Sequence, residues 1–209
     1  MASPLVKRLT AAGIRDDRLL DAIAAIPRAE FVPAASRERA DEDVPLPIPH
    51  GQVTTQPSLS ARMIEALALT GDERVLEVGS GHGFQTALLA ALAREVWSIE
   101  RFPDLAETAR ENLRRRAIGN ATVVVADGTR GLPDQAPFNA TIVSAAFPRV
   151  PPPLGDQLAP GGRLVQPIGP GGHEKVMLFV ERDGRLRQEA LLTAAHFVPL
   201  IGEHGFDER

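Results

Sequence analysis

Val75-Leu-Glu-Val-Gly-Ser-Gly-His-Gly-Phe-Gln-Thr86 reads as a strand, a turn and a helix start. An apolar run ends at Glu77-Val78, glycines stand at 79, 81 and 83, and a helical apolar pattern begins at Phe84. Glycine permits positive φ and lets a ligand approach bare backbone. The helix N-terminus beyond it turns unpaired N–H groups towards that ligand. A dinucleotide-binding turn wants glycine at its first, third and sixth positions. Here the sixth position is Phe84, a poor match, so the stretch says only that a nucleoside or anionic ligand meets a helix start.

The pattern repeats downstream. Strand candidates are Arg74–Val78, Glu95–Glu100, Ala121–Ala126 and Asn139–Ala145, with helical segments near Gln85–Ala93 and Asp104–Ala117. Such alternation predicts an α/β fold with a doubly wound, mostly parallel sheet covered on both faces. Val123-Val-Val125 and Thr141-Ile-Val143 fit fully buried strands. A short helix over Pro151–Leu158 leads to Gly161-Gly-Arg-Leu-Val-Gln-Pro-Ile-Gly169. Lys175–Arg182, a turn at Asp183-Gly184 and a strand around Leu191–Val198 predict a closing antiparallel hairpin.

Upstream, Leu5, Val6 and Leu9, then Leu19, Leu20, Ile23 and Ile26, recur at helical spacing, with Asp16-Asp17 opening the second helix. Pro45, Pro47 and Pro49 forbid a helix and a central strand, so residues 41–57 are expected to form an extended, fixed loop. Ordered loops of that length are commonly functional. Pro57 to Leu69 reads as one more helix.

A chain of 209 residues suits one domain with a sizeable core. We expect a single domain over 1–209, with N-terminal helices and a loop over 1–70 and an α/β core over 71–209. A net charge of -4 argues against broad nucleic-acid binding. The absence of cysteine removes disulfides, thiolate zinc sites and a cysteine nucleophile, and suits a cytoplasmic protein. No apolar run is long enough to cross a bilayer, and no signal-peptide pattern opens the chain.

Ligands of open α/β sheets bind at the carboxyl ends of the strands. Acids stand there three times: Glu77, Glu100 and Asp127, the last followed by Gly128. A carboxylate near Glu100 can accept from two ribose hydroxyls, and one at Asp127 from an adenine amino group. Singly, Glu100 could be a solvated strand end and Asp127 a turn former. Together they point to a nucleoside site.

The strand-acid-x-Gly-x-Gly-x-Gly order resembles the first motif of S-adenosylmethionine-dependent methyltransferases. Further residues narrow the resemblance: Pro27-Arg28 with Phe31-Val-Pro33, Pro45-Leu-Pro-Ile48 with His50-Gly-Gln52 and Gln56-Pro57, and Ala126-Asp-Gly128. They continue through Ala136-Pro-Phe138, Ile142-Val-Ser-Ala-Ala146, Gly161-Gly-Arg-Leu164, Pro167-Ile-Gly169 and Phe197-Val-Pro-Leu200. Across nearly its whole length the chain resembles the protein-L-isoaspartate O-methyltransferases. The resemblance implies a seven-stranded, Rossmann-like methyltransferase sheet with an antiparallel C-terminal strand. It implies methyl transfer from S-adenosylmethionine, without a metal, to the α-carboxyl of L-isoaspartyl residues in damaged proteins or peptides. We expect a monomer with no nucleic-acid or membrane partner.

The donor site is then assigned to Gln52, Val53, Thr54, Ser60, Glu77, Gly79, Ser80, Gly81, Glu100, Asp127 and Gly128. Relatives place a serine hydroxyl before the Gln-Pro pair, close to donor and acceptor. Here that position is Thr55, which keeps the hydroxyl and adds a stiffening methyl. The acceptor side takes His50, read as a loop-fixing residue, and Phe197, Val198 and Pro199. That last segment is either core or a backbone edge for an extended peptide. Pro49, where relatives carry glycine, and Asn139, for the usual aspartate, are departures. They keep two rivals open: a carboxyl methyltransferase acting on an aspartate side chain, and a non-catalytic S-adenosylmethionine-binding module.

Overall fold

The computed structural model describes residues 3–208. α1 (Pro4–Ala11) has proline in its first turn, where a missing N–H breaks no bond. α2 (Asp17–Ala25) is capped by Asp16, whose side chain accepts from the Arg18 and Leu19 N–H groups. Leu5, Leu9, Leu19 and Ile23 of these helices are buried in the main core. Two tight 3-10 turns, Arg28–Phe31 and Ala34–Arg39, follow.

The proline segment differs from the loop expected. It holds a small antiparallel hairpin, β1 (Leu46–Ile48) and β2 (Gln52–Thr54), in which Pro47 sits opposite Val53. This sheet has only edge strands, so a proline there interrupts no central ladder. α3 (Pro57–Ala66) leads back to the core.

β3 (Arg74–Val78), α4 (Phe84–Leu92), β4 (Glu95–Glu100), α5 (Pro103–Arg115) and β5 (Ala121–Val125) step outward in one direction. β6 (Phe138–Val143) then returns to the other side of β3. Asn139 closes that strand start, its Oδ1 accepting from the Arg74 N–H at 2.8 Å. A short α6 (Pro152–Asp156), β7 (Leu158–Ile168), β8 (Glu174–Arg182) and β9 (Arg185–Ala195) complete a seven-stranded sheet of order β5-β4-β3-β6-β7-β8-β9. The order reverses between β3 and β6, where such sheets open a crevice. Pairs from β5 to β7 are parallel, and β8 pairs antiparallel with both neighbours. After two reversals β9 points with the parallel set again.

The closing strand needs a correction. It begins at Arg185 rather than near Leu191 and ends at Ala195, leaving Phe197 and Val198 outside. Asp183 and Gly184 have φ of 55° and 73°, which makes a two-residue turn that brings Arg182 opposite Arg185 at once. The β8–β9 register shifts twice, between Val176 and Met177 and between Leu178 and Phe179. Beyond Ala195 the chain crosses to Ala146, whose N–H donates to Val198 O and whose carbonyl accepts from Leu200 N–H, both at 2.8 Å.

Side chains alternate along the sheet. Val75, Val96, Ile142 and Val165 pack with the helices of one face, and Leu76, Val78, Ile99, Val143 and Leu164 with the other.

Candidate active site

A cavity of about 710 Å³ opens at the carboxyl ends of β3, β4 and β6, a size suited to a nucleoside cofactor. The turn after β3 forms its floor, with Gly79, Ser80 and Gly81 in the wall. Gly83 has φ of 90° and precedes α4, and a Cβ there would lie 3.2 Å from Ala109 Cβ of α5. That glycine therefore sets how closely the two helices pack. Ser80 is buried, and its hydroxyl has no partner among the described residues. Such a group costs about 1–3 kcal/mol unless a ligand meets it, so an orphaned hydroxyl in this wall fits a polar ligand.

Glu77 does not reach the cavity; this corrects the direct donor contact assigned to it. Alternation turns its side chain beneath α4, where it is fully buried. Its oxygens accept from Gln85 Nε2 at 3.0 Å, Ser98 Oγ at 2.6 Å and Thr86 Oγ1. Gln85 also donates to Ser144 Oγ at 2.9 Å and accepts from Ser60 Oγ at 2.6 Å. Ser60, Gln85 and Ser144 all line the cavity, so Glu77 orients the wall through Gln85.

Burial pushes the Glu77 carboxyl from its usual 4.5 up to about 7, against the pull of Ser98, Thr86 and Gln85. The native state then holds this proton more tightly than the unfolded chain. The stability it confers is complete below about pH 4.5 and is lost as pH rises through about 7. We expect a loss on the order of 3 kcal/mol over that window, and a flatter profile for Glu77→Gln. Glu73, Glu95, Asp104 and Asp127 are held below their ordinary values, so they act oppositely at lower pH and cancel in the comparison. Urea unfolding of both proteins across the window checks this; parallel profiles would refute it.

Glu100 lies in the cavity wall. Its Oε2 accepts from Gly81 N–H at 2.9 Å, and its Oε1 from the N–H groups of Arg101 at 2.8 Å and Phe102 at 3.1 Å. Burial raises its carboxyl, and these bonds offset part of the rise. A carboxylate offers about four acceptor sites. With three filled, one remains for a ligand hydroxyl, fewer than the two expected from sequence.

Asp127 is not among the residues that line the cavity, although Gly128 beside it is. Its Oδ1 accepts from Thr129 N–H and Oγ1, at 2.8 and 2.7 Å, and its Oδ2 from Glu203 N–H at 2.8 Å. Burial pushes this carboxyl up, but the bonds from Glu203 and Thr129 outweigh it and hold it below the usual range. The turn-forming reading accounts for its geometry. Gly128 does line the cavity, and a Cβ on it would overlap Val78 Cγ1.

The opposite wall is the hairpin loop, and Arg28, read from sequence only as part of the family resemblance, is its keystone. Arg28 is 2% exposed. Its Nη1 donates to the carbonyls of Ala40 and Glu42, and its Nη2 to Val44 O at 2.9 Å and Thr54 Oγ1 at 2.7 Å. Burial lowers it to about 10, against Asp43 and Asp41, so it stays charged at neutral pH. The Thr54 hydroxyl, bonded to Arg28 and to Leu46 N–H, faces the scaffold. Thr55 next to it is half-buried and lines the cavity with Gln52, Val53 and Thr54 itself. His50 also lines it, and fixes the loop: its ring stacks on Phe102 at 4.2 Å, and Nε2 lies 2.8 Å from Asp104 Oδ1.

Phe197, Val198 and Pro199 line the same cavity. Phe197 packs partly on the core, while its carbonyl and that of Pro199 accept no hydrogen bond among the described residues. The wall also includes Ser144, the Pro170–Gly172 loop and Phe206–Glu208, with Glu208 paired to Arg101. Ser144 follows the β6 strand end and was legible by position; the tail carries no motif. Among the described residues no group of acids, histidines or cysteines could hold a metal ion, and no helix is long and apolar enough to cross a membrane.

A nucleoside-sized crevice at the reversal of this sheet, floored by a glycine turn and walled by a strand-end acid, defines a nucleoside-cofactor site of the doubly wound class. Comparison with known proteins narrows that class. The sequence profile described as "Protein-L-isoaspartate(D-aspartate) O-methyltransferase (PCMT)" matches residues 1–205, and the chain belongs to that family. It is 50% identical over 194 residues to the protein-L-isoaspartate O-methyltransferase of Myxococcus xanthus, covering 91% of this chain and 92% of the relative. It is 48% identical over 199 residues to that of Methanoculleus marisnigri, covering 95% and 90%. A solved protein-L-isoaspartate O-methyltransferase superposes with a TM-score of 0.86 at 29% identity, over 98% of this chain and 67% of that one. The chain is thus an S-adenosylmethionine-dependent protein carboxyl O-methyltransferase.

Proposed function

We propose that this enzyme methylates the α-carboxyl of L-isoaspartyl residues in damaged proteins and peptides, with Thr55 at the reacting carboxyl. The observation that carries the reading is one cavity bounded by Ser80 and Glu100 on one side and by Thr55 and Phe197–Pro199 on others. When bound, S-adenosylmethionine supplies a sulfonium methyl that an acceptor carboxylate oxygen takes, the carbon–sulfur electron pair leaving with sulfur. No proton moves, so alignment and exclusion of water carry the rate.

The chain's own residues supply both. Glu100 accepts from a ribose hydroxyl, and Ser80 meets a polar donor group. Gln85, fixed by Glu77, holds Ser60 and Ser144 in the donor wall. The Thr55 hydroxyl donates to the acceptor carboxylate, and the open carbonyls of Phe197 and Pro199 accept from an extended peptide. We read the chain as one domain, acting as a cytoplasmic monomer without a nucleic-acid or membrane partner.

Incubation with labelled S-adenosylmethionine and matched isoaspartyl and aspartyl peptides tests the reading. Base-labile label is expected on the isoaspartyl peptide alone; label on the aspartyl peptide, or none, sinks it. In the same assay Thr55→Ala should lower kcat by about 10- to 100-fold, while donor Kd stays within about twofold. Undiminished turnover would remove Thr55 from the reaction.

A further inference from the structure

Glu174 opens β8 and is fully buried. Buried carboxyl groups need partners. Its Oε2 accepts from the Phe197 backbone N–H at 2.9 Å, whereas its Oε1 has no partner among the described residues. Glu174 faces Ala195 at the last rung of the β8–β9 ladder. Its side chain therefore takes hold of the chain just as the chain leaves the sheet. The β7–β8 loop leaves it little room to turn away: a Cβ on Gly169 would lie 3.2 Å from both Cα and Cγ of Glu174. That loop lines the cavity through Pro170, Gly171 and Gly172, as Phe197 does from the other strand. The His173 and His196 rings meet at 4.8 Å across the same junction.

We propose that Glu174 is a positioning residue for the acceptor. It does not touch the peptide. It fixes the Phe197 end of the segment whose other end is tied to Ala146 through Val198 O and Leu200 N–H. With both ends held, the Phe197 and Pro199 carbonyls keep a constant direction, and an extended acceptor meets a preformed edge. Released, Phe197 can turn its own N–H into the cavity and must be reordered by every acceptor. This inference rests on the reading that the acceptor lies along Phe197–Pro199.

Two substitutions separate the possibilities. Glu174→Leu keeps bulk and removes the acceptor oxygen; Glu174→Gln keeps a carbonyl oxygen for the Phe197 N–H. For Glu174→Leu, KM for an isoaspartyl peptide should rise about tenfold, with kcat and the Kd for S-adenosylhomocysteine unchanged. Amide exchange of Phe197, followed in peptide-free protein, should accelerate. Glu174→Gln should return both KM and exchange to near the parent values. Unchanged exchange in Glu174→Leu overturns the anchor and leaves the acceptor reading untouched. Faster exchange with an unmoved KM overturns the placement of the acceptor, and with it the inference. A Glu174→Gln protein as impaired as Glu174→Leu also overturns the anchor, because charge rather than the held N–H would then matter.

Discussion

Arg28→Met is expected to lower kcat/KM for isoaspartyl peptide by about 100-fold and to cost about 3 kcal/mol of stability. Arg28 ties the carbonyls of Ala40, Glu42 and Val44 to the Thr54 hydroxyl, four acceptors gathered from both ends of one loop. Methionine fills much of the volume but donates nothing. Each buried acceptor left unmatched costs free energy, and the loop can recover it only by opening to water. Thr55 is the residue after Thr54, so this opening displaces the hydroxyl from the reacting carboxyl. Misplacement of about 1 Å is enough for a rate loss of that size. Arg28→Lys should rescue little, because one ammonium cannot reproduce a planar fork that reaches both sides of the loop. Steady-state kinetics with urea unfolding on the same samples decides it. Activity within about threefold of the parent, alongside a clear loss of stability, would mean that other contacts place the loop.

Glu100→Ala should weaken S-adenosylhomocysteine binding by about 100-fold, read by titration calorimetry. Two losses combine. A ribose hydroxyl loses its charged acceptor, and the N–H groups of Gly81, Arg101 and Phe102 lose theirs. The second loss loosens the glycine turn itself. Hydrogen bonds to a charged group contribute about 1.5–3 kcal/mol each, so two decades, about 2.7 kcal/mol, are lost only if one or two are not replaced by water. Glu100→Gln should fall between, since an amide keeps one oxygen and turns its NH2 towards a backbone donor. Unchanged affinity in Glu100→Ala would show that the carboxyl organises the turn without meeting the donor.

Features with a strong local cause were legible in the sequence. The glycine turn, the parallel strands and the strand-end position of Glu100 follow from spacing and from the rule that places ligands at strand ends. The two misplaced acids have one origin. Glu77 and Asp127 were placed by their position in the chain, while their side chains were set by direction: Glu77 by strand alternation, Asp127 by capping the turn after it. Asp127 is also claimed by Glu203 N–H, a partner from the far end of the chain that no local pattern announces. The roles of Arg28 and Glu174 were illegible for the same reason, since each works on backbone groups many residues away. The late strand was misplaced because Arg185–Glu189 is polar and weak in β propensity. The two-residue turn before it sets the pairing regardless.

The last strand also bears on solubility. β9 is an eleven-residue sheet edge, long enough to template foreign chains. Arg185, Arg187, Gln188 and Glu189 along it are exposed, and the two register shifts against β8 break its straight ladder. Charge and irregularity of this kind discourage strand-on-strand association. An exposed edge of that length is thereby made a poor template for other chains.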